Sequence, residues 1–284
     1  MDVDEGRGIL YVAMLANDSL AVVDLNRNFV QSVTGLKTPQ GVLFLPSPKE
    51  LLVSNGGDGT VDILNTTTLE ITKVVQLSSD ADNMRFDAAS GLVYVGYGGA
   101  LGGIASLNAT TGQVVSSISL SGHPESFQLD RNDSKVFVNI PEGPYIAVID
   151  RANRSIVGRW PLPINVSRNF PMGLDEIHHR LFVGTREPAE VLVYDDSSGE
   201  LVTTVGIALG PDDLYYSNGC IYVSSSQGYV YVVKQDDPNH YEVVQTIPSG
   251  VGAGTSLFIP QTDRLCVAVP QSTEAPPQVY IYKR

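Results

Sequence analysis

The sequence predicts an all-β fold, a seven-bladed β-propeller with four antiparallel strands per blade. Three observations predict it. One short phrase, apolar, aromatic or apolar, Val, small, occurs seven times: LYVA (Leu10–Ala13), LLVS (Leu51–Ser54), VYVG (Val93–Gly96), VFVN (Val136–Asn139), LFVG (Leu181–Gly184), IYVS (Ile221–Ser224) and LCVA (Leu265–Ala268). The copies are spaced by roughly 40–45 residues, the period of propeller blades, so one unit is repeated and each copy buries its faces against its neighbours. Between the phrases lie short strand patterns and turn signals, and no stretch carries a helical period.

The second repeat shows the plan. GVLFLP (Gly41–Pro46) is the first strand and Ser47–Lys49 a turn. ELLVSN (Glu50–Asn55) is the second strand, ended by GGDG (Gly56–Gly59), whose residues tolerate the positive φ of a hairpin. TVDILN (Thr60–Asn65) is the third strand, and ITKVVQL (Ile71–Leu77) the fourth. Four strands at this period favour a propeller over a sandwich. The later repeats open at Met84, Ser126, Met172, Asp213 and Ser256, and the fourth carries the single Trp, Trp160. The expected blades are about 1–37, 38–80, 81–122, 123–168, 169–210, 211–251 and 252–284, within one domain 1–284.

The ends differ from the middle. DVDE (Asp2–Glu5) matches an innermost strand only in part, and QVYIYKR (Gln278–Arg284) is a third strand with no fourth after it. The last blade is therefore expected to lack its outer strand. An open strand edge is a pairing liability, so residues upstream of Met1 are expected to cover it.

With 284 residues and 43% hydrophobic content the chain has the makings of a packed core. No apolar run approaches the ~20 residues of a spanning helix. The formal charge of −13, from 18 basic and 31 acidic residues, argues against nucleic acid or anionic lipid as partners and is compatible with cations. Cys220 and Cys266 read as small buried apolar residues. Six N-x-S/T sequons stand at Asn17, Asn65, Asn108, Asn132, Asn153 and Asn165. With scarce Cys and Lys and abundant Ser, Thr and Asn, they lean towards an extracytoplasmic protein, periplasmic or secreted, whose leader is absent from this chain.

The Tyr/Phe-Val phrases, with third strands such as LAVVDL (Leu20–Leu25) and YIAVIDR (Tyr145–Arg151), resemble the YVTN family of β-propellers, which includes periplasmic YncE-like proteins. DADNMRFD (Asp80–Asp87), GHPESFQLD (Gly122–Asp130) and NFPMGLDE (Asn169–Glu176) are similar to a subgroup described as gluconolactonase-like. The resemblance covers essentially the whole chain and implies the propeller. Relatives carry Arg where Gly254 stands here.

In a propeller the segment opening each innermost strand faces the central channel. Aligned, these segments place Gln40, Asn83, Glu125, Met172, Asp213 and Thr255 in one ring, preceded by Pro39, Asp82, Pro124, Pro171, Asp212 and Gly254. Asp82, Asn83, Glu125, Asp212 and Asp213 are the expected metal ligands, for Ca2+ or another divalent cation, because a hard cation takes oxygen donors. Gln40, Asn169 and Thr255 are expected to bind a ligand. His123, the one group there whose ordinary pKa is near neutral, is the expected catalytic base.

Three functions are compatible with these residues. The first is a non-enzymatic extracytoplasmic propeller binding a small molecule, cation or protein at an acidic channel mouth. The second is a metal-dependent hydrolase of lactones or similar small esters, with Asp82, Asn83, Glu125 and Asp213 holding the ion. The third is a protein-docking module of a larger assembly. Capping of turns by these same polar side chains competes with all three.

Overall fold

The computed structural model describes residues 1–207, 210–273 and 275–283. Residues 208 and 209 of the fifth repeat, 274 of the seventh, and Arg284, assigned above to the last strand, lie outside the described residues. The described residues form six four-stranded sheets and one three-stranded sheet, each made of consecutive antiparallel strands. The fold is a seven-bladed β-propeller, and the three-stranded blade is the last, as expected. Among the described residues no helix is long and apolar enough to cross a membrane.

The chain divides into two compact units, Met1–Glu125 with Asp150–Ile156, and Ser126–Ile149 with Val157–Arg284. The first holds blade one (Asp2–Asp4, Ile9–Met14, Ser19–Asp24, Phe29–Thr34), blade two (Pro39–Leu45, Glu50–Asn55, Thr60–Asn65, Ile71–Gln76) and blade three (Ala81–Asp87, Leu92–Gly98, Gly102–Asn108, Val114–Leu120). The second holds most of blade four, whose strands start at Ser126, Lys135, Tyr145 and Ser155, and all of blades five, six and seven.

The repeated phrase is the second strand of every blade. It reads as a continuous apolar run, not an alternation, because both faces are covered: in Glu50–Asn55 every residue after Glu50 is buried. The outer strand Ile71–Gln76 is exposed at all but one position. Core residues accordingly gather between consecutive blades. Tyr11, Leu20, Val42, Leu51 and Val53 pack blade one on blade two, and Leu52, Ile63, Met84, Val93 and Val95 pack blade two on blade three. In the second unit Phe137, Val148, Met172 and Leu181 join blades four and five, and Phe182, Val191, Leu214 and Ile221 join five and six. Cys220, Tyr222, Val230, Phe258 and Val267 join six and seven, and both cysteines are free and buried.

The fourth position of the phrase is small because the opening of the next blade lies on it. A Cβ at Gly96 would stand 3.2 Å from the Pro124 carbonyl oxygen, and one at Gly184 would stand 3.3 Å from Pro211 Cβ of the next blade, as well as 2.6 Å from Pro171 Cγ of its own blade's first strand. Where a polar atom fits, it becomes a latch. The Ser54 hydroxyl donates to the Asp82 carbonyl, Asn139 Nδ2 to the Phe170 carbonyl at 3.0 Å, and the Ser224 hydroxyl to the Ser256 hydroxyl at 2.8 Å.

The innermost strands start earlier than the sequence pattern indicates. They begin at Ala81, Ser167 and Pro211, not at Met84, Met172 and Asp213. The reason is a β-bulge near each start: the register slips between Ala81 and Met84, between Asn169 and Met172, and between Pro211 and Asp213, as it does between Pro39 and Gly41. A bulge inserts residues opposite a shorter partner and breaks the period of two. The inserted residues include Gln40, Asp82, Asn83 and Asp212, all nominated above, and in blade five Phe170 and Pro171, which were not nominated as ligands.

Candidate functional site

In the first unit the bulge of blade three and the segment leading to blade four bring Asp82, His123 and Glu125 together. One ligand atom from each lies within 4.8 Å of the others. His123 is buried at 9% exposure. Its Nδ1 faces the Gly98 carbonyl, which only accepts, so Nδ1 carries a hydrogen; its Nε2 lies 3.5 Å from Asp82 Oδ2. The Gly98 carbonyl reaches this place from a hairpin in which Gly98 adopts φ +91, and a Cβ there would stand 2.6 Å from the Leu101 carbonyl oxygen.

Two further expected residues belong to this cluster. Asn83 Nδ2 donates to the Glu125 carbonyl at 2.6 Å, which holds the segment carrying Glu125 against blade three. Gln40 Nε2 donates to Asp80 Oδ1 at 2.6 Å, and Asp80 Oδ2 lies 3.6 Å from His123 Nδ1. Neither Asp80 nor the Gly98 carbonyl was nominated from sequence. Asp80 lies just ahead of the first strand of blade three at φ +42, outside the extended chain, so a period of two does not point to it.

Charge is concentrated here. Burial pushes the Asp82 carboxyl above its ordinary value, and its hydrogen bond with His123 opposes that in part. For His123 burial favours the neutral ring, but the hydrogen bond the ring donates to Asp82, the one it donates to the Gly98 carbonyl and the charges of Asp82 and Glu125 outweigh it, and the pKa is pushed up to about 9. A histidine that binds its proton more tightly folded than unfolded stabilises the fold below its unfolded pKa and loses that stabilisation as pH passes its folded pKa. The metal-free protein is therefore expected to lose stability between about pH 6.5 and 9. His123→Gln should flatten that part of the pH profile of thermal unfolding. Parallel profiles for the two proteins would contradict the protonated pair.

The remaining expected residues lie in the second unit and are engaged there. Asp212 Oδ1 pairs with Arg186 Nη2 and Oδ2 accepts the Ser226 N–H at 2.7 Å. Arg186 in turn lies over the Phe170 ring at 3.7 Å. Asp213 Oδ2 accepts the Ser256 N–H at 3.0 Å, tying blade six to blade seven. Asn169 is fully buried; its Nδ2 donates to Asn139 Oδ1 at 3.0 Å and to the Tyr145 carbonyl at 3.1 Å. Thr255 is exposed at the start of the last blade's first strand. A Cβ at Gly254 would stand 2.8 Å from Asp212 Oδ2, so this position sits directly on the Arg186–Asp212 pair. His178 and His179 occupy the turn after the first strand of blade five, where they contact Asp175 at 2.7 Å and Asp196 at 3.2 Å.

The fold has many counterparts among solved structures. A chain of hydrazine synthase from Kuenenia stuttgartiensis superposes with a TM-score of 0.85 at 13% identity, covering 98% of this chain and 92% of that one. A chain of a mitotic checkpoint complex superposes with a TM-score of 0.79 at 11% identity, covering 97% of this chain and 84% of that one. At such identities the likeness shows the seven-bladed propeller alone, and propellers host unrelated functions. No protein-family model matches the chain, and no curated protein matches it.

Proposed function

We infer that this protein is an extracytoplasmic binding propeller that holds a divalent cation through Asp82, His123 and Glu125, and through the cation a ligand or partner. The observation that carries the reading is the orientation of His123. Its Nδ1 is committed to a main-chain carbonyl and its Nε2 turns to a carboxylate with a second carboxylate adjacent. Histidine ligands are commonly fixed in this way, by a second-shell acceptor on the other nitrogen. A 3.5 Å separation between Nε2 and Asp82 Oδ2 suits two donors each about 2.0–2.2 Å from one ion. The bound ion would replace the Nε2 proton and relieve the repulsion between two partly buried carboxylates.

The donor set moves the choice of ion away from the all-oxygen coordination of Ca2+. One imidazole with two carboxylates suits Mn2+, Zn2+ or a similar transition ion. Holding is favoured over hydrolysis because both ring nitrogens of His123 are engaged, which leaves no lone pair to take a proton from water. The YncE-like resemblance supports the extracytoplasmic setting, and the checkpoint-complex chain supports a protein among the partners such a fold can take.

Titration calorimetry and thermal unfolding after chelator treatment test this reading. Mn2+ or Zn2+ should bind at one site per chain, release close to one proton at neutral pH, and at a hundred times the Kd stabilise the fold by about 2.7 kcal/mol. Ca2+ should do so more weakly. A thermal transition indifferent to all these ions would remove the proposal.

A further inference from the structure

The six sequons are unequal in the fold. We propose that Asn65 and Asn108 are acceptor sites for N-linked glycans, and that the other four are disfavoured by their local geometry. The two residues occupy equivalent places, each ending the third strand of its blade (Thr60–Asn65 and Gly102–Asn108).

At that place the turn to the fourth strand needs a side-chain acceptor and nothing more. Asn65 Oδ1 accepts the N–H groups of Thr67 and Thr68 at 2.8 and 3.1 Å, and Asn108 Oδ1 those of Thr110 and Thr111 at 3.0 and 2.9 Å. The same two bonds are made by an aspartate in other blades: Asp24 to Asn26 and Arg27, Asp150 to Ala152 and Asn153, Asp195 to Ser197 and Ser198. A carboxylate thus serves the turn as well as an amide. What Asn65 and Asn108 add is an NH2 group that the turn does not use, and no hydrogen bond is made by either Nδ2 among the described residues. Thr67 and Thr110, the hydroxyl residues of the two sequons, are exposed.

Each other sequon lacks one of these features. Asn153 Nδ2 donates to Asp150 Oδ2 at 2.5 Å, and Asn132 Nδ2 to the Glu176 carbonyl at 3.3 Å. Asn17 is followed by Ser19, which is 5% exposed. Asn165 is followed by Ser167, whose hydroxyl donates to Glu187 Oε2 at 3.2 Å.

The chemistry leaves the turn intact. The amide nitrogen attacks the anomeric carbon of a lipid-linked oligosaccharide diphosphate; the N–C bond forms as the C–O bond to the diphosphate breaks. The lipid diphosphate departs with the electron pair of the broken C–O bond, and the proton lost by the amide passes to a base of the transferase. Oδ1 keeps the lone pairs that accept the two backbone N–H groups, and the glycan projects from the edge of the blade.

The test is secretion of the full chain, behind a cleavable leader, from a host that carries the oligosaccharyl transferase, followed by intact-mass measurement, release by a peptide-N-glycosidase in 18O-water, which leaves an 18O-labelled aspartate at each occupied site, and peptide mapping. Two glycans are expected, at Asn65 and Asn108. Asn65→Asp and Asn108→Asp should each remove one glycan and leave Tm unchanged, because the aspartate preserves the turn; Thr67→Ala and Thr110→Ala should give the same loss by a second route. Bare Asn65 and Asn108, beside a co-secreted reporter that is glycosylated, would overturn the proposal. So would occupancy at Asn132 and Asn153 equal to that at Asn65 and Asn108.

Discussion

His123→Ala is expected to weaken divalent-cation binding by at least about a hundredfold. Loss of a residue that merely orients a ligand typically weakens a metal site 10–100-fold, and His123 is read here as a ligand itself. Its ring is held by the Gly98 carbonyl and faces Asp82. Asp82→Asn should bring a loss of similar size. Asp80→Asn should bring a smaller one, near tenfold, since Asp80 lies 3.6 Å from Nδ1 and acts through the ring. Titration calorimetry with Mn2+ on the four proteins reads these differences. An affinity in His123→Ala within threefold of the parent would show that the ion, if bound, sits elsewhere.

The second large effect is expected in the core. Phe182 is fully buried on the second strand of blade five, its ring 5.2 Å from Tyr216 and 5.8 Å from Tyr241. It packs with Val191, Val193, Leu214 and Ile221 between blades five and six. Phe182→Ala should destabilise the protein by about 3–5 kcal/mol, because the removed ring leaves a cavity that strands held on both sides cannot collapse into. Phe182→Leu should lose less than half of that. Urea unfolding followed by tyrosine fluorescence measures both, and a loss under about 1 kcal/mol for the alanine variant would mean that the interface between these blades relaxes freely.

Part of the candidate site is legible in the sequence. Aligning the repeats named Asp82, Asn83, Glu125 and Gln40, and the geometry places all four around His123 or within one hydrogen bond of its neighbours. The alignment treated Asp212 and Asp213 as equivalent to them. Their chemistry differs because of residues the alignment does not compare: Arg186 neutralises Asp212, and the Ser256 N–H occupies Asp213. The Gly98 carbonyl had no signature at all, since a main-chain atom contributes to a site through backbone conformation and not through residue type.

Periodicity and burial explain the division. A phrase that returns every 40 or so residues, apolar on both faces and small at its end, determines stacked four-stranded sheets from the chain alone, because no other arrangement buries both faces of seven copies. That much, with the three-stranded last blade, needed only the sequence. The bulges at Gln40, Asp82, Phe170 and Asp212 needed the tertiary structure, because a register slip is set by which strand lies alongside. The same holds for the partners of each carboxylate. Whether an acidic residue binds a cation, latches a neighbour or answers an arginine depends on contacts made across 14 to 43 residues of chain, and pairings at that range are decided by packing.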